Sequence, residues 1–273
     1  MKRAALALAL ALALALSFGS AQAGRPCEEK LPQAANVARG LELAERTARA
    51  LDASGAEVVL LARAGQDLSK HGLRWSHLGF AYREAAPVPG QSPGVWRVVH
   101  KLNHCGSERS GLYRQGLGEF FLDDPARYEA AYAVLAAPLA AKLAPLLRDN
   151  PAVQRWHEPH YSLVSYAWGT RYQQSNQWLL ETLAGAADAG NHTRQQAQAW
   201  LRQQGYQPNR LKLGTFTRLG ARVTRANIAF DDHPNDQRFA GRIDTVGADS
   251  VFEWLQRSRL GLAAVNVPVD PSP

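Results

Sequence analysis

Apolar residues recur at helical spacing in five long stretches of the chain, so that each stretch would bury one face of a helix. These stretches cover residues 34–52, 139–147, 174–187, 193–203 and 248–257. A shorter helix is predicted at 112–121. The first helix is expected to end before Ser54-Gly55, which is a typical stop signal.

Short runs rich in β-branched and aromatic residues predict strands. They cover residues 57–63, 75–83, 95–103 and 128–135. A Pro- and Gly-rich segment separates the second run from the third, which favours a β-hairpin with a long loop. Residues 211–216 and 221–228 fit either strands or irregular structure.

The mixture of strands and helices along the chain predicts an α+β fold, with an antiparallel sheet packed against helices. The chain has 273 residues, 46% of them hydrophobic, which is enough for a substantial core. We expect a single α+β domain over residues 24–265. Residues 266–273 contain three prolines and are expected to be a disordered tail.

The N-terminus has the pattern of a secretory signal. Met1-Lys2-Arg3 precedes an apolar run at 4–16, and Ala21-Gln22-Ala23 is a small-x-small cleavage site. The run is shorter than the ~20 apolar residues that a membrane-spanning helix needs. We therefore expect residues 1–23 to be removed, which leaves a periplasmic or secreted protein that begins at Gly24 and has no transmembrane segment.

Export would place both cysteines, Cys27 and Cys105, in an oxidising compartment where a disulfide is favoured. The bond would close a loop of about 80 residues and stabilise the fold by roughly 4–5 kcal/mol on the chain-entropy model. Two unpaired thiols are the alternative.

The formal net charge is +7, but the basic residues are spread along the chain rather than gathered in a block. We therefore predict no nucleic-acid partner. The acidic runs Asp123-Asp124 and Asp231-Asp232-His233 offer hard ligands, yet neither has the spacing of a known metal loop, and turn residues are the alternative. We expect neither a metal nor a cofactor.

Five of the seven tryptophans are flanked by polar residues and offer surfaces on which a sugar or a peptide could stack. They are Trp75, Trp156, Trp168, Trp178 and Trp200. Packing in the core is the alternative for each of them.

Two histidines fall on the predicted hairpin. If Tyr82 pairs with Val95, His77 lies opposite His100 on one face of the sheet. One imidazole can then take a proton while the other orients it, although hydrogen-bonded structural histidines are the alternative. The best-placed hydroxyl for a nucleophile is that of Ser175, at a predicted helix start, where serine is also a preferred N-cap.

Five longer motifs follow one another in a fixed order. They are SHLGFAYR at 76–83, WRVVHKLN at 96–103, GLGEFFLDD at 116–124, QSNQW at 174–178 and AFDDHP at 229–234. Together they resemble the uncharacterised bacterial exported-protein family known as domain of unknown function 2145. The resemblance covers essentially the whole mature chain, but the family name implies no activity.

A histidine in Ser76-His77-Leu78-Gly79, a polar residue on the next strand and a nucleophile on a later helix are similar to the circularly permuted papain-like hydrolases of the lecithin:retinol acyltransferase type. This likeness implies a papain-like core in which His77 is the base, His100 its orienting partner and Ser175 the nucleophile. Those enzymes have cysteine at the last position. A hydroxyl is not ionised as a thiol is, and needs a base that takes its proton during attack.

The papain-like resemblance implies either an amide or ester hydrolase, acting on a cell-envelope peptide or acyl group, or an inactive relative of such an enzyme. A non-catalytic periplasmic binding or assembly factor is the alternative. The sequence leaves the oligomeric state open.

Overall fold

The computed structural model describes residues 31–84 and 94–267, apart from the side chains of Val223 and Thr224. The helices in these ranges are α1 (Ala34–Ser54), α2 (Leu117–Phe121), α3 (Ala137–Arg148), α4 (Asn150–Val153), α5 (Ser175–Ala187), α6 (Arg194–Gln203), α7 (Thr215–Thr224), α8 (Asn235–Phe239) and α9 (Ala248–Arg257). The strands are β1 (Val58–Ala64), β2 (His77–Glu84), β3 (Val95–Asn103), β4 (Ser110–Gly116), β5 (Arg127–Val134), β6 (Asn209–Lys212), β7 (Arg242–Thr245) and β8 (Val265–Asn266).

Six strands form one antiparallel sheet in the order β4-β3-β2-β1-β5-β8, and β6 pairs with β7 in a separate small sheet. Strand β1 is buried along its whole length because helices cover both faces of the large sheet. The predicted α+β class, with an antiparallel sheet packed against helices, is confirmed.

Side chains alternate between the two faces of the sheet. On one face, α3 and α5 pack over a core that includes Leu60, Phe80 and Val99. On the other face, α1 and α2 pack over a smaller core that includes Leu61 and Val98. His77, Gly79 and His100 belong to this second face, because they alternate with Leu78, Phe80 and Val99.

Most of the predicted elements are found within two residues of their expected bounds. The strand at 95–103 and the helix at 248–257 agree at both ends. These segments have a clear apolar period and end at polar or Gly-containing stretches, so local pattern and tertiary packing favour the same structure.

The helix predicted at 112–121 is wrong in its first half. Residues Ser110–Gly116 form β4, which pairs with β3 from Asn103 back to Arg97, and only Leu117–Phe121 is helical. The open edge of β3 offers a full ladder of backbone hydrogen bonds, which outweighs weak local helix propensity.

The strands considered at 211–216 and 221–228 are also largely wrong. Strand β6 ends at Lys212, and α7 occupies Thr215–Thr224. The single helix therefore spans parts of both segments, and its N-cap is Gly214, which offers no side chain to cap the helix.

The hairpin register that pairs Tyr82 with Val95 is wrong by two residues. Glu84 pairs with Val95 and Tyr82 with Arg97, since β2 continues to Glu84. A shift of two residues keeps every side chain on its original face. His77 and His100 therefore share a face, as predicted, but are diagonal to each other.

The disordered tail predicted at 266–273 is wrong for its first residues. Asn266 pairs with Ala131, and Val267 is buried in the smaller core. Residues 268–273, the predicted signal at 1–23 and Cys27 lie outside the described residues. Signal cleavage and the Cys27–Cys105 bond stay predictions, although Cys105 is not a free thiol.

Within the ranges 31–84 and 94–267, no helix combines the length and the apolar character that crossing a bilayer requires.

Candidate functional site

The two histidines of the hairpin are in direct contact. His77 Nε2 lies 2.8 Å from His100 Nδ1, and the ring planes are inclined at 74°. Both side chains are buried, and Phe120 of α2 packs against both rings with centroid distances of 5.9 and 5.2 Å. The pair is therefore held between the sheet and α2.

Gly79 makes this diagonal contact possible. It follows His77 on the same face of β2, where a Cβ would come within 2.5 Å of Val98 Cγ1 and 3.3 Å of His100 Cβ. The absence of a side chain at residue 79 leaves the space through which the His100 ring reaches His77.

Gln115 of β4 fixes the direction of the hydrogen bonds. His100 Nε2 lies 2.7 Å from Gln115 Oε1, and an amide oxygen only accepts, so His100 Nε2 carries the proton. Burial, together with the nearby Arg63 charge, lowers the pKa of His100 to about 4. At neutral pH His100 therefore has one proton, and its Nδ1 accepts from His77 Nε2–H. A neutral His77 then has its lone pair on Nδ1.

Arg63 of β1 anchors the loop that follows α2. Its Nη1 donates to the Phe120 carbonyl, and its Nη2 lies 2.7 Å from Asp123 Oδ2. The guanidinium also stacks 4.9 Å from the centre of the Phe120 ring. Asp123, which the sequence offered as a hard metal ligand, thus forms an ion pair beside the histidines.

Ser175 is the first residue of α5, on the opposite face of the sheet from the histidine pair. Its Oγ donates to the Lys101 carbonyl at a distance of 2.7 Å, rather than bonding to His77. Ser175 does not cap its own helix. Gln174 is the N-cap, because its side chain accepts from the Asn176 N–H at 2.7 Å.

Asn176 ties the start of α5 to the strand that carries His77. Its Oδ1 accepts from the Leu78 N–H at 2.9 Å, and its Nδ2 donates to the carbonyl of Ser76 at 3.4 Å and that of Val246 at 3.3 Å. The bonds to Ser76 and Leu78 are made to the two residues that flank His77 in the chain. Asn176 is therefore the main polar link between the Ser175 helix and the histidine strand.

A buried polar network holds β3 against the same end of α5. Lys101 Nζ donates to the Glu158 carbonyl at 2.6 Å and to Gln173 Oε1 at 2.7 Å. Gln173 in turn donates to Glu181, whose carboxylate also binds Arg194 at 2.7 Å. Burial, with Arg194 nearby, holds the pKa of Lys101 well below its usual value. The network fixes the carbonyl to which Ser175 is bonded.

One cavity of about 370 Å³ brings these residues together. His77, Ser175 and Asn176 line it, together with the Arg63–Asp123 pair. The lining also has an apolar part, to which Leu163, Val164, Leu211, Leu213 and Val246 contribute. His100 reaches the cavity only through His77. The structure thus joins the two histidines directly, and places Ser175 on the same cavity without a hydrogen bond to either.

The second acidic motif is structural. Asp232 accepts from the Tyr166 N–H at 2.7 Å and lies 3.0 Å from His233 Nδ1, and Asp231 accepts from the Tyr172 hydroxyl at 3.1 Å. These bonds hold the loop that leads into α5. Over the described ranges, no three His, Cys, Asp or Glu side chains converge as metal ligands would.

The tryptophans serve mainly the core. Trp156 and Trp178 are fully enclosed, and Trp168 and Trp200 are partly buried against the same cluster. Only Trp75 both belongs to this core and lines the cavity.

Four residues of the site were not singled out from the sequence. Gln115 lies in a segment that was predicted as a helix, and that prediction does not place its side chain on the face of the sheet that carries the histidines. Lys101 and Glu181 carry no local signal of burial, because the groups that bind them lie in other segments of the chain. Asn176 was visible only as part of the motif QSNQW, where a run of polar residues precedes an apolar helix.

A family model described as an uncharacterised protein conserved in bacteria, DUF2145, matches residues 50–255. Neither the curated proteins nor the solved structures contain a significant match to the chain.

Proposed function

Since the chain belongs to this uncharacterised bacterial family, we propose its function from the site: a papain-like amide or ester hydrolase in which His77 is the general base, His100 orients it and Ser175 is the nucleophile. One observation carries this proposal. The chain of hydrogen bonds from Gln115 through His100 to His77 ends on the cavity that Ser175 also lines.

The reaction would proceed in two steps. Ser175 Oγ attacks the substrate carbonyl while its proton passes to His77 Nδ1, which then protonates the departing amine or alcohol. Water next attacks the acyl-serine and gives its proton to His77, so that the acid is released and the Ser175 hydroxyl is restored. Before the first step, the Ser175 hydroxyl must give up its hydrogen bond to the Lys101 carbonyl and donate to His77 instead.

Two features of the fold suit this chemistry. His100 is kept neutral and single-protonated, so it holds the His77 ring in one orientation with Nδ1 as the base. The first turn of α5 has backbone amides without carbonyl partners in the helix, as every helix start does. The Asn176 N–H already donates to Gln174 Oε1, so the Ser175 and Gln177 N–H groups are the donors that would suit the oxyanion of a tetrahedral intermediate.

A non-catalytic binding pocket is the second candidate, and a specific observation favours it. The Ser175 hydroxyl is committed to the Lys101 carbonyl, and α5 lies on the face of the sheet opposite His77. In that case the histidine pair would recognise a partner or support the fold, without transferring a proton to a substrate.

A thiol at residue 175 distinguishes the two candidates. We would compare the Ser175→Cys variant with Ser258→Cys, whose half-buried residue lies outside the cavity. In a papain-like site, iodoacetamide at mildly acidic pH should alkylate the first thiol about tenfold faster than the second, since the imidazole lowers the thiol pKa. Adding His77→Ala should remove this acceleration.

A folded Ser175→Cys variant that reacts no faster than Ser258→Cys would refute the hydrolase proposal and favour the binding pocket. Thermal melting of each variant by circular dichroism checks that the fold is retained. A serine-directed fluorophosphonate provides a parallel test on the native chain, where labelling of Ser175 should depend on His77.

We also propose that the protein is exported and acts in the cell envelope. The supporting feature is the signal pattern at residues 1–23. Intact-mass measurement of the protein from a periplasmic or secreted fraction should give a chain that begins at Gly24. A fully processed extract in which residues 1–23 are retained would contradict this.

A further inference from the structure

Two large apolar residues of helix α7 face solvent. Phe216 is 90% exposed and Leu219 is 60% exposed, although they lie three residues apart on one side of the helix. Arg218 instead points inward, is only 8% exposed, and donates to the Leu213 carbonyl at 2.6 Å. An amphipathic helix on a globular protein normally buries its apolar side, so this orientation is inverted.

A third exposed apolar residue lies at the same end of the small β6–β7 sheet. Phe239, the last residue of α8, is 70% exposed. Two residues later, the Gly241 carbonyl accepts from the Leu213 N–H at 2.9 Å, which joins this segment to the residues just before α7. We call Phe216, Leu219, Phe239, Arg222 and Arg225 the α7 surface.

The segment of the chain that contains α7 carries charge of one sign. Residues 209–230 contain five basic side chains and no acidic one. Arg210 is neutralised by Asp244 through two hydrogen bonds of 2.6 and 2.8 Å. Lys212, Arg222 and Arg225 are exposed, and within the described part of the chain they form no ion pair.

We infer that the α7 surface binds an anionic lipid bilayer, with Phe216, Leu219 and Phe239 in the interfacial layer and Arg222 and Arg225 against lipid phosphates. Amphipathic helices with aromatic and Leu residues on one side and Arg on the other bind membrane surfaces in this way. Each cation close to an anionic bilayer strengthens binding about fivefold.

The shape of the surface favours lipid over a protein partner. A stable protein interface buries about 800 Å² on each side and packs as densely as a core. A phenylalanine that is 90% exposed has almost no neighbours of its own around it. Such a protruding ring suits a fluid acyl layer better than a rigid complementary pocket.

The α7 surface also adjoins the cavity of the candidate site. Arg225 lines that cavity, as do Leu211 and Leu213, which precede α7. A bilayer bound at α7 would therefore lie beside the cavity. The inference does not depend on the chemistry proposed for His77 and Ser175.

The test is sedimentation of the mature full-length chain with vesicles of phosphatidylcholine, prepared with and without phosphatidylglycerol. We expect binding to the anionic vesicles that weakens as salt is added. The double variant Phe216→Ser, Leu219→Ser should weaken this binding at least about tenfold. Arg222→Glu with Arg225→Glu should have an effect of similar size.

The matched control is Leu262→Ser, which removes a side chain that is 65% exposed but lies outside α7. It should bind as the native chain does. Equal binding to neutral and anionic vesicles, or equal loss in the control and the α7 variants, would overturn the inference. The inference would also be overturned if the folded native chain did not bind vesicles. This includes the case in which Phe216 is needed for binding a protein partner instead.

Discussion

His77 Nε2 donates a hydrogen bond of 2.8 Å to His100 Nδ1 between two neighbouring strands. The direction of this bond is set one strand further away, where Gln115 accepts from the other nitrogen of His100. Three strands, β2, β3 and β4, thus determine which nitrogen of His77 is basic. This arrangement leads to expectations on pH, packing and charge that can be measured without knowing a substrate.

The first prediction concerns the pH dependence of stability. His100 has a pKa of about 4 in the folded protein and 6.5 in the unfolded chain, so between these values only the unfolded chain gains the proton. The free energy of unfolding should therefore be fully retained above about pH 6.5 and fall by up to about 3 kcal/mol as the pH drops to 4. Urea titrations across this range measure it.

His157 needs a separate control, because burial and the nearby Lys101 also lower its pKa to about 4. His100→Gln should flatten the slope of stability against pH even if it lowers stability at neutral pH. His157→Gln should leave the contribution of His100 in place. An unchanged slope in His100→Gln would show that His100 is not the group responsible.

The second prediction is that Gly79→Ala disturbs the histidine pair. The added Cβ would overlap Val98 Cγ1 at 2.5 Å, and overpacking of a core costs about 1–3 kcal/mol. Urea unfolding should show this loss, and the imidazole signals of His77 and His100 should shift in NMR spectra. The matched control is Gly118→Ala, whose Cβ would meet only Leu41 at 3.4 Å and should be tolerated.

The third prediction concerns the buried carboxylate of α5. Glu181 is 1% exposed and binds Arg194, Gln173 and Gln198. Glu181→Gln would leave the Arg194 charge uncompensated inside the protein, at a cost of about 3–5 kcal/mol. Chemical denaturation should detect this loss.

The control for that loss is Glu45→Gln. Glu45 pairs with Arg49 on the exposed side of α1, where such a pair is worth at most about 0.5 kcal/mol. If both variants lose equally little stability, the Glu181 network does not support the fold as described.

The fourth prediction is that Cys105 is bonded to Cys27 in the exported protein. Alkylation under denaturing conditions should modify neither cysteine before reduction and both after it, as read by intact mass. Reduction should lower the free energy of unfolding by roughly 4–5 kcal/mol on the chain-entropy model. Alkylation of both thiols before reduction would refute the bond.

The histidine pair could be predicted because a register shift of two residues leaves every side chain on the same face of the sheet. The register in the sequence-based hairpin was wrong, yet His77 and His100 stayed on one face. Gln115 could not be found in the same way. Its strand exists because β3 has an open edge, which is a property of the assembled sheet rather than of residues 110–116.

The position of Ser175 shows a second limit of sequence reasoning. The pattern correctly predicted a helix that starts near this residue, but not which carbonyl its hydroxyl binds. That depends on Lys101, which is drawn inward by partners 57 and 72 residues away in the chain. For α7, the pattern at 211–216 and 221–228 predicted strands or irregular structure, and nothing in it indicated that Phe216 and Leu219 face outward.

The histidines lie in the halves of β2 and β3 that are remote from the Glu84–Val95 pair. His77 is the first residue of β2 and Glu84 the last, a separation of roughly 23 Å along an extended strand. Val95, which pairs with Glu84 and is 51% exposed, is therefore far from His77. This makes Val95 a suitable place to attach a fluorophore when ligands for the cavity are screened.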